Sequence, residues 1–209
     1  MRLLKNKGFT LIELLVVITL IGVLAVAVLS ALNPIEQINK GRDAGRRADA
    51  AQIMSAIDRY YASNELYPWN NSAAFSDYYD GVDLAYKATG EKAGVGVCGG
   101  LTVMAVNQSA NGCTLDGVLI SGWELKSQFG KRKAFRTGAI KEDVFYVVKE
   151  DDDPSVAVCF IPSSAATRTN WDKLKRVDLA ADPAITDCVA PAPTWTTVAL
   201  SCYVCIPEE

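Results

Sequence analysis

The chain has 209 residues, half of them apolar, with a formal net charge of −3 and no histidine. That length and apolar share suffice for one domain with a real core plus an appendage, which excludes disorder of the whole chain, and the weak negative field leaves only local contacts to nucleic acid. Without histidine neither a Ser-His-Asp relay nor a Cys-His pair can be assembled and no imidazole is available to a metal; the sequence points to no catalytic residue, no metal and no cofactor.

Residues 1–8, MRLLKNKG, carry Arg2, Lys5 and Lys7 and no acid, and an almost unbroken apolar run follows from Phe9 to Leu32. A helix of about 24 residues at about 1.5 Å each is roughly 36 Å long, enough to cross a hydrocarbon layer of about 30 Å with some tilt. The basic residues on its N-terminal side predict that this end stays cytoplasmic and that the rest of the chain faces outward. Three other readings compete. A secretory signal peptide has a shorter apolar region, roughly 7 to 15 residues, although Ala25-Val26-Ala27 offers a small-residue cleavage pattern; a plain signal anchor is the second. The helix of a soluble core would not be apolar all round.

Glu13 is the single charge in this run. Placing a carboxylate in a membrane helix costs about 2.5 to 3.5 kcal/mol on insertion scales. No Lys or Arg lies within the run, so the partner that offsets this cost must come from elsewhere. The stretch Lys7-Gly8-Phe9-Thr10-Leu11-Ile12-Glu13, followed by LLVVITLIGVLA, resembles the processing and assembly signature of type IV prepilins and type II secretion pseudopilins. The resemblance implies that a dedicated membrane peptidase cuts between Gly8 and Phe9 and that Phe9 is then N-methylated. It also implies an assembly role for Glu13, as partner of the freed N-terminal amine of a neighbouring subunit. Opposite charges meeting in a low-dielectric bundle attract strongly and an unpaired Glu13 is penalised, so this pair favours one axial register. Gly8, lacking a side chain, lets a peptidase approach the backbone closely.

Asn33-Pro34 should kink or partly melt the helix, because proline removes a donor and restricts the residue before it. In the family resembled here the proline usually falls earlier, near Ser30. From Ile35 to Asn64 the residues Ala50, Ile53, Met54, Ile57, Tyr60 and Tyr61 recur at spacings of three and four, the stripe of a helix lying on a globular head. The opposite face is charged, with Asp43 and Arg47, and Arg46 and Asp49, spaced for intrahelical pairs worth a few tenths of a kcal/mol each. Gly41 and Gly45 weaken the helix and mark a flexible or closely packed point. This block resembles the same family again, in which a long helix ends in a tyrosine-rich turn before a Tyr-Pro segment, here Tyr60, Tyr61, Tyr67 and Pro68; the tyrosines are read as packing residues.

Beyond residue 70 the apolar, β-branched segments 95–106, 115–120, 144–149, 155–161 and 196–206 read as antiparallel strands, with short helices over 124–129 and 171–179. Asp151 to Asp153 with Pro154 make a hairpin turn, a solvated loop without calcium-loop spacing. Six cysteines, Cys98, Cys113, Cys159, Cys188, Cys202 and Cys205, all lie in the second half. An even count outside the cytoplasm fits a disulfide framework; the CxxC spacing of Cys202 and Cys205 leaves a thiolate metal site as the weaker alternative. Lys131, Arg132, Lys133 and Arg136 form the one basic patch of note, read as a solvated loop with DNA contact as the lesser alternative, flanked by Phe129 and Phe135.

The expected fold is therefore α+β: a long N-terminal helix, membrane-spanning in its first half and amphipathic in its second, packed on an antiparallel β-sheet head. Its parts are a cleaved leader (1–8), a transmembrane and assembly helix (9–32), an amphipathic helix (33–66) and a disulfide-bearing head (67–209). The resemblance implies a structural subunit, held first in the cytoplasmic membrane by one span and then polymerised into a cell-surface pilus for adhesion, motility or DNA uptake. A pseudopilin of a type II secretion system is the alternative; the size of the head favours the pilus, and Glu13 favours a place within the shaft rather than at the tip. Implied partners are copies of the chain itself, the prepilin peptidase, and an assembly platform with a cytoplasmic ATPase acting indirectly. A signal-anchored enzyme or binding module is the reading from another class, with Glu142, Asp143 and Glu150 as candidate acids, but no spacing brings them together in a cleft.

Overall fold

The computed structural model describes residues 8–31, 33–70, 82–83, 94–99, 108–149, 155–178, 184–189, 191–197 and 200–208. Two compact units divide the chain after Ile38. In the first, helix α1 (Leu11–Ala31) has 21 residues, about 32 Å at about 1.5 Å each. Its hydroxyls are satisfied internally: Thr19 donates to the Val16 carbonyl at 2.8 Å and Ser30 to the Ala27 carbonyl at 2.9 Å. Neither hydroxyl is therefore an unpaired donor on the apolar helix surface.

The second helix, α2, spans Pro34–Asn64. Pro34 takes the first helical position, where its missing N–H is no loss, and Asn33 caps it, its side-chain oxygen accepting from the Glu36 N–H at 3.2 Å. The helix closes at Glu65, which adopts the left-handed conformation at φ 57 and donates to the Tyr61 carbonyl at 2.7 Å. Ala50, Ile53 and Ile57 are buried as the stripe predicts, and Ala56 joins them, but Met54 and Tyr60 are only half-buried and Tyr61 is exposed. Gly41 and Gly45 are not points of close packing within the subunit, since a side chain at either would meet nothing within 4 Å.

In the head the strands, in chain order, are β1 (Val82–Asp83), β2 (Gln108–Ser109), β3 (Gly112–Cys113), β4 (Phe145–Val148), β5 (Ala157–Phe160), β6 (Lys175–Asp178), β7 (Ala184–Asp187) and β8 (Val204–Ile206), with short helices α3 (Val118–Ser121) and α4 (Ala165–Thr169). An antiparallel sheet runs β1-β4-β5-β8; β2-β3 and β6-β7 are separate hairpins. Every residue of β4 is buried, because the sheet is covered on both faces. Phe145, Val147, Val158, Phe160 and Val204 join the cluster containing the α2 stripe, whereas Tyr146, Val148, Cys159, Tyr203 and Cys205 pack with Val177 and Ile185 of the β6-β7 hairpin. A strand buried on both faces reads as a continuous apolar run, which is why FYVV and AVCF stand out in the sequence.

Several sequence expectations are corrected. Segment 115–120 is not a strand: α3 occupies Val118–Ser121 between Gly117 and Gly122, burying Leu119 and Ile120. Segment 171–179 is not a helix: a 3-10 turn (Trp171–Lys173) is followed by β6, whose residues Lys175–Asp178 pair with β7. Segment 124–129 has no α-helix, only a 3-10 turn at Phe129–Lys131. Among the described residues of 196–206 the strand is confined to β8. Residues 100–107 and the acidic turn Asp151 to Pro154 lie outside the described residues, as do the leader residues 1–7 and Leu32.

Candidate functional site

Glu13 stands in the first turn of α1, where its carboxylate has a local partner in Thr10. Its carboxylate accepts from the Thr10 N–H at 2.9 Å and from the Thr10 hydroxyl at 2.7 Å, while its own N–H donates to Thr10 Oγ1 at 3.3 Å. This is a capping box: threonine at the N-cap and glutamate three residues later satisfy each other's orphan donors. The Thr-x-x-Glu pattern directly before an apolar run was the available signal. Immediately upstream, Phe9 is 82% exposed, and a side chain at Gly8 would meet nothing within 4 Å. Around Glu13, α1 exposes Leu11, Ile12, Leu14 and Leu15, and further along Ile18, Leu20, Ile21, Val23 and Leu24, so the apolar surface encircles the helix.

The six cysteines form Cys98–Cys113, Cys159–Cys205 and Cys188–Cys202. Cys202 and Cys205 thus have separate partners, which overturns the alternative of a thiolate metal site on their CxxC spacing. Cys159 and Cys205 sit opposite each other in the β5-β8 register. Among the described residues no group of three or more Cys, Asp or Glu side chains is placed to hold a metal.

Two of the candidate acids are engaged in ion pairs. Glu142 receives Arg168 at 3.5 Å and Lys141 at 3.8 Å; Asp143 receives Arg46 at 2.9 Å. Glu150 lies outside the described residues. The predicted pairs Asp43–Arg47 and Arg46–Asp49 do not form. Asp43 and Arg46, expected on the solvated face of α2, are 2% and 9% exposed. Asp43 accepts from the Ser163 and Ser164 backbone N–H groups at 2.8 and 2.9 Å, and Arg46 bridges Asp43 (3.3 Å), the Ser163 hydroxyl (2.6 Å) and Asp143. Arg47 instead meets Glu208 at 2.7 Å, and Asp49 meets Arg132.

The basic patch is partly consumed as well. Arg132 is bound to Asp49 and lies 4.5 Å from the Phe129 ring centre, Arg136 donates twice to the Lys131 carbonyl, and both Phe129 and Phe135 are buried. No stacking platform is left beside it. Tyr61, Tyr67 and Trp69 form a stack with ring centres 4.5 and 4.8 Å apart, rooted in the core at Trp69.

With its exposed apolar helix headed by a capped glutamate, followed by a second helix and antiparallel sheets, the chain resembles type IV pilins in architecture. Residues 3–29 match the family described as the prokaryotic N-terminal methylation motif. The chain is similar to the type IV major pilin protein PilE of Neisseria gonorrhoeae, with 29% identity over 172 residues, 80% of this chain and 96% of that protein. No solved structure gives a significant match.

Proposed function

We propose that this protein is a structural subunit of a type IV pilus, polymerising through α1. The observation that carries the proposal is the combination in one helix of an apolar surface open on all sides with Glu13 at its head. In this reading the leader is cut between Gly8 and Phe9 by a prepilin peptidase, Phe9 is N-methylated, and the helix holds the subunit in the cytoplasmic membrane with its N-terminus inside and its head outside. An assembly platform then transfers it to the filament. There Glu13 exchanges its Thr10 contacts for the N-terminal amine of a neighbour, which offsets the cost of a carboxylate in an apolar bundle. The role is structural rather than enzymatic, and the disulfides suit a head held outside the cytoplasm.

A pseudopilin of a type II secretion system shares the N-terminal motif and is the second reading; resemblance to a major pilin over nearly the whole of that relative favours the pilus. The N-terminal mass of the mature protein from its own host is the test. Methylated Phe9 is expected. A terminus at Val28 means a secreted soluble domain and an intact Met1 a simple anchor, and either overturns the proposal.

A further inference from the structure

Trp123 is 92% exposed, the largest value among the exposed apolar side chains of the described residues, and its backbone is left-handed at φ 65. That conformation after a short helix ordinarily falls to glycine. Here Gly122 stands one position earlier at φ −81, and the tryptophan takes the strained place. The turn is not frayed. The Trp123 N–H donates to Ile120 at 3.0 Å and Leu125 to Leu119 at 2.8 Å, while Arg59 of α2 grips Glu124 through its carboxylate and its carbonyl, both at 2.8 Å. A strained, firmly held and fully presented indole is a feature retained against local cost.

A groove of about 530 Å³ opens at the other end of the head, between the start of α2, α4 and β8. Leu174 and Tyr203, both buried, line it, and Lys40 and Lys173 are exposed at its rim. Neither lysine has an acidic partner among the described residues. The Arg47–Glu208 ion pair also lines the groove, and its buried apolar residues with Lys40 and Lys173 beside them complement an indole, whose ring face attracts cations. Arg59, beside the tryptophan, and Lys40, at the groove, lie on the same helix about 19 residues apart, roughly 28 Å along its axis.

We infer that Trp123 is the knob of a contact between heads, seated in this groove of a second copy of the chain. A knob and a hollow at opposite ends of one helix can pair reciprocally across a two-fold axis or repeat head to tail without closing; only the head-to-tail repeat extends a filament, and the filament reading selects it. The inference rests on the proposed filament reading and adds to it a second, polar and aromatic contact outside the α1 bundle.

The test places a photo-reactive benzoylphenylalanine at position 123 in assembled filaments and maps the crosslinked peptides. Crosslinks to residues 40–47, 164–175 or 203–208 of another copy are expected; crosslinks elsewhere, or none between copies, overturn the contact. Trp123→Gly should raise the melting temperature of the detergent-solubilised subunit by relieving the left-handed strain, yet reduce filament yield at least tenfold. Unchanged yield overturns the inference. Failure of the unmodified chain, correctly processed at Phe9, to form any filament would instead overturn the filament reading itself, before position 123 is altered.

Discussion

Helices α1 and α2 follow each other in the chain and use opposite logics. α1 leaves its leucines, isoleucines and valines open and keeps only its backbone, its hydroxyls and Glu13 satisfied from within. α2 covers Ala50, Ile53, Ala56 and Ile57 completely and buries even an aspartate and an arginine against the head. The first helix is complete only among other molecules, and the second only within its own. Substitutions in the two should therefore move different observables.

The sharpest separation is at Glu13. Glu13→Ala and Glu13→Gln should each lower filament yield by about 100-fold or more, the scale of an uncompensated buried charge pair at about 3 kcal/mol or above, with the melting temperature of the head unchanged. Glutamine can keep the cap on Thr10, so persistent filaments in that variant would show that capping, not charge, is what assembly requires. Next comes the α2 clamp. Arg46→Ala should cost about 3 kcal/mol of head stability in chemical denaturation, because it leaves the buried Asp43 charge partly unpaired and removes the partner of half-buried Asp143. A loss below 1 kcal/mol would mean that the clamp is no more than a surface pair.

The double variant Cys188→Ser/Cys202→Ser, opening a bridge of sequence separation 14, should cost about 2 to 4 kcal/mol without affecting Phe9 methylation. The smallest effect concerns Asp58. Partial desolvation raises its carboxyl above the ordinary value, and the Arg59 charge opposes this only in part. A raised folded value favours the protonated native state, so the contribution is present at low pH and lost as pH rises through it. Asp58→Asn should then add no more than about 0.5 kcal/mol at pH 7, a gain that vanishes in acid titration.

The N-terminal half was legible because its information is one-dimensional. A long apolar run, one acid and a glycine need no distant partner to be understood, and the stripe from Ala50 to Ile57 obeys the period of its own helix. Asp43 and Arg46 were misread for the converse reason. Polar residues are assigned to solvent by default, and what buries these two lies 97 to 121 residues further on, at Asp143, Ser163 and Ser164. The strands were legible where both faces are covered, at β4 and β5. They were lost where a segment of four residues, such as β6, shows too little pattern to separate from a turn of helix. Cysteine pairing was likewise closed to inspection, since Cys202 and Cys205 stand nearly adjacent yet serve different bridges.

The placement of Asp43 and Arg46 has a mechanical consequence. Force applied along α2 from its N-terminal side meets this ionic latch about one turn of helix or more before the apolar stripe begins at Ala50. Charged hydrogen bonds in a shielded site are stiff and short in range, and they resist sliding where apolar contacts would let one surface creep over another. Behind the latch, the β5–β8 and Cys188–Cys202 bridges prevent the far end of the chain from being drawn out in sequence. A tensile load would thus shear the latch before it could peel the sheet.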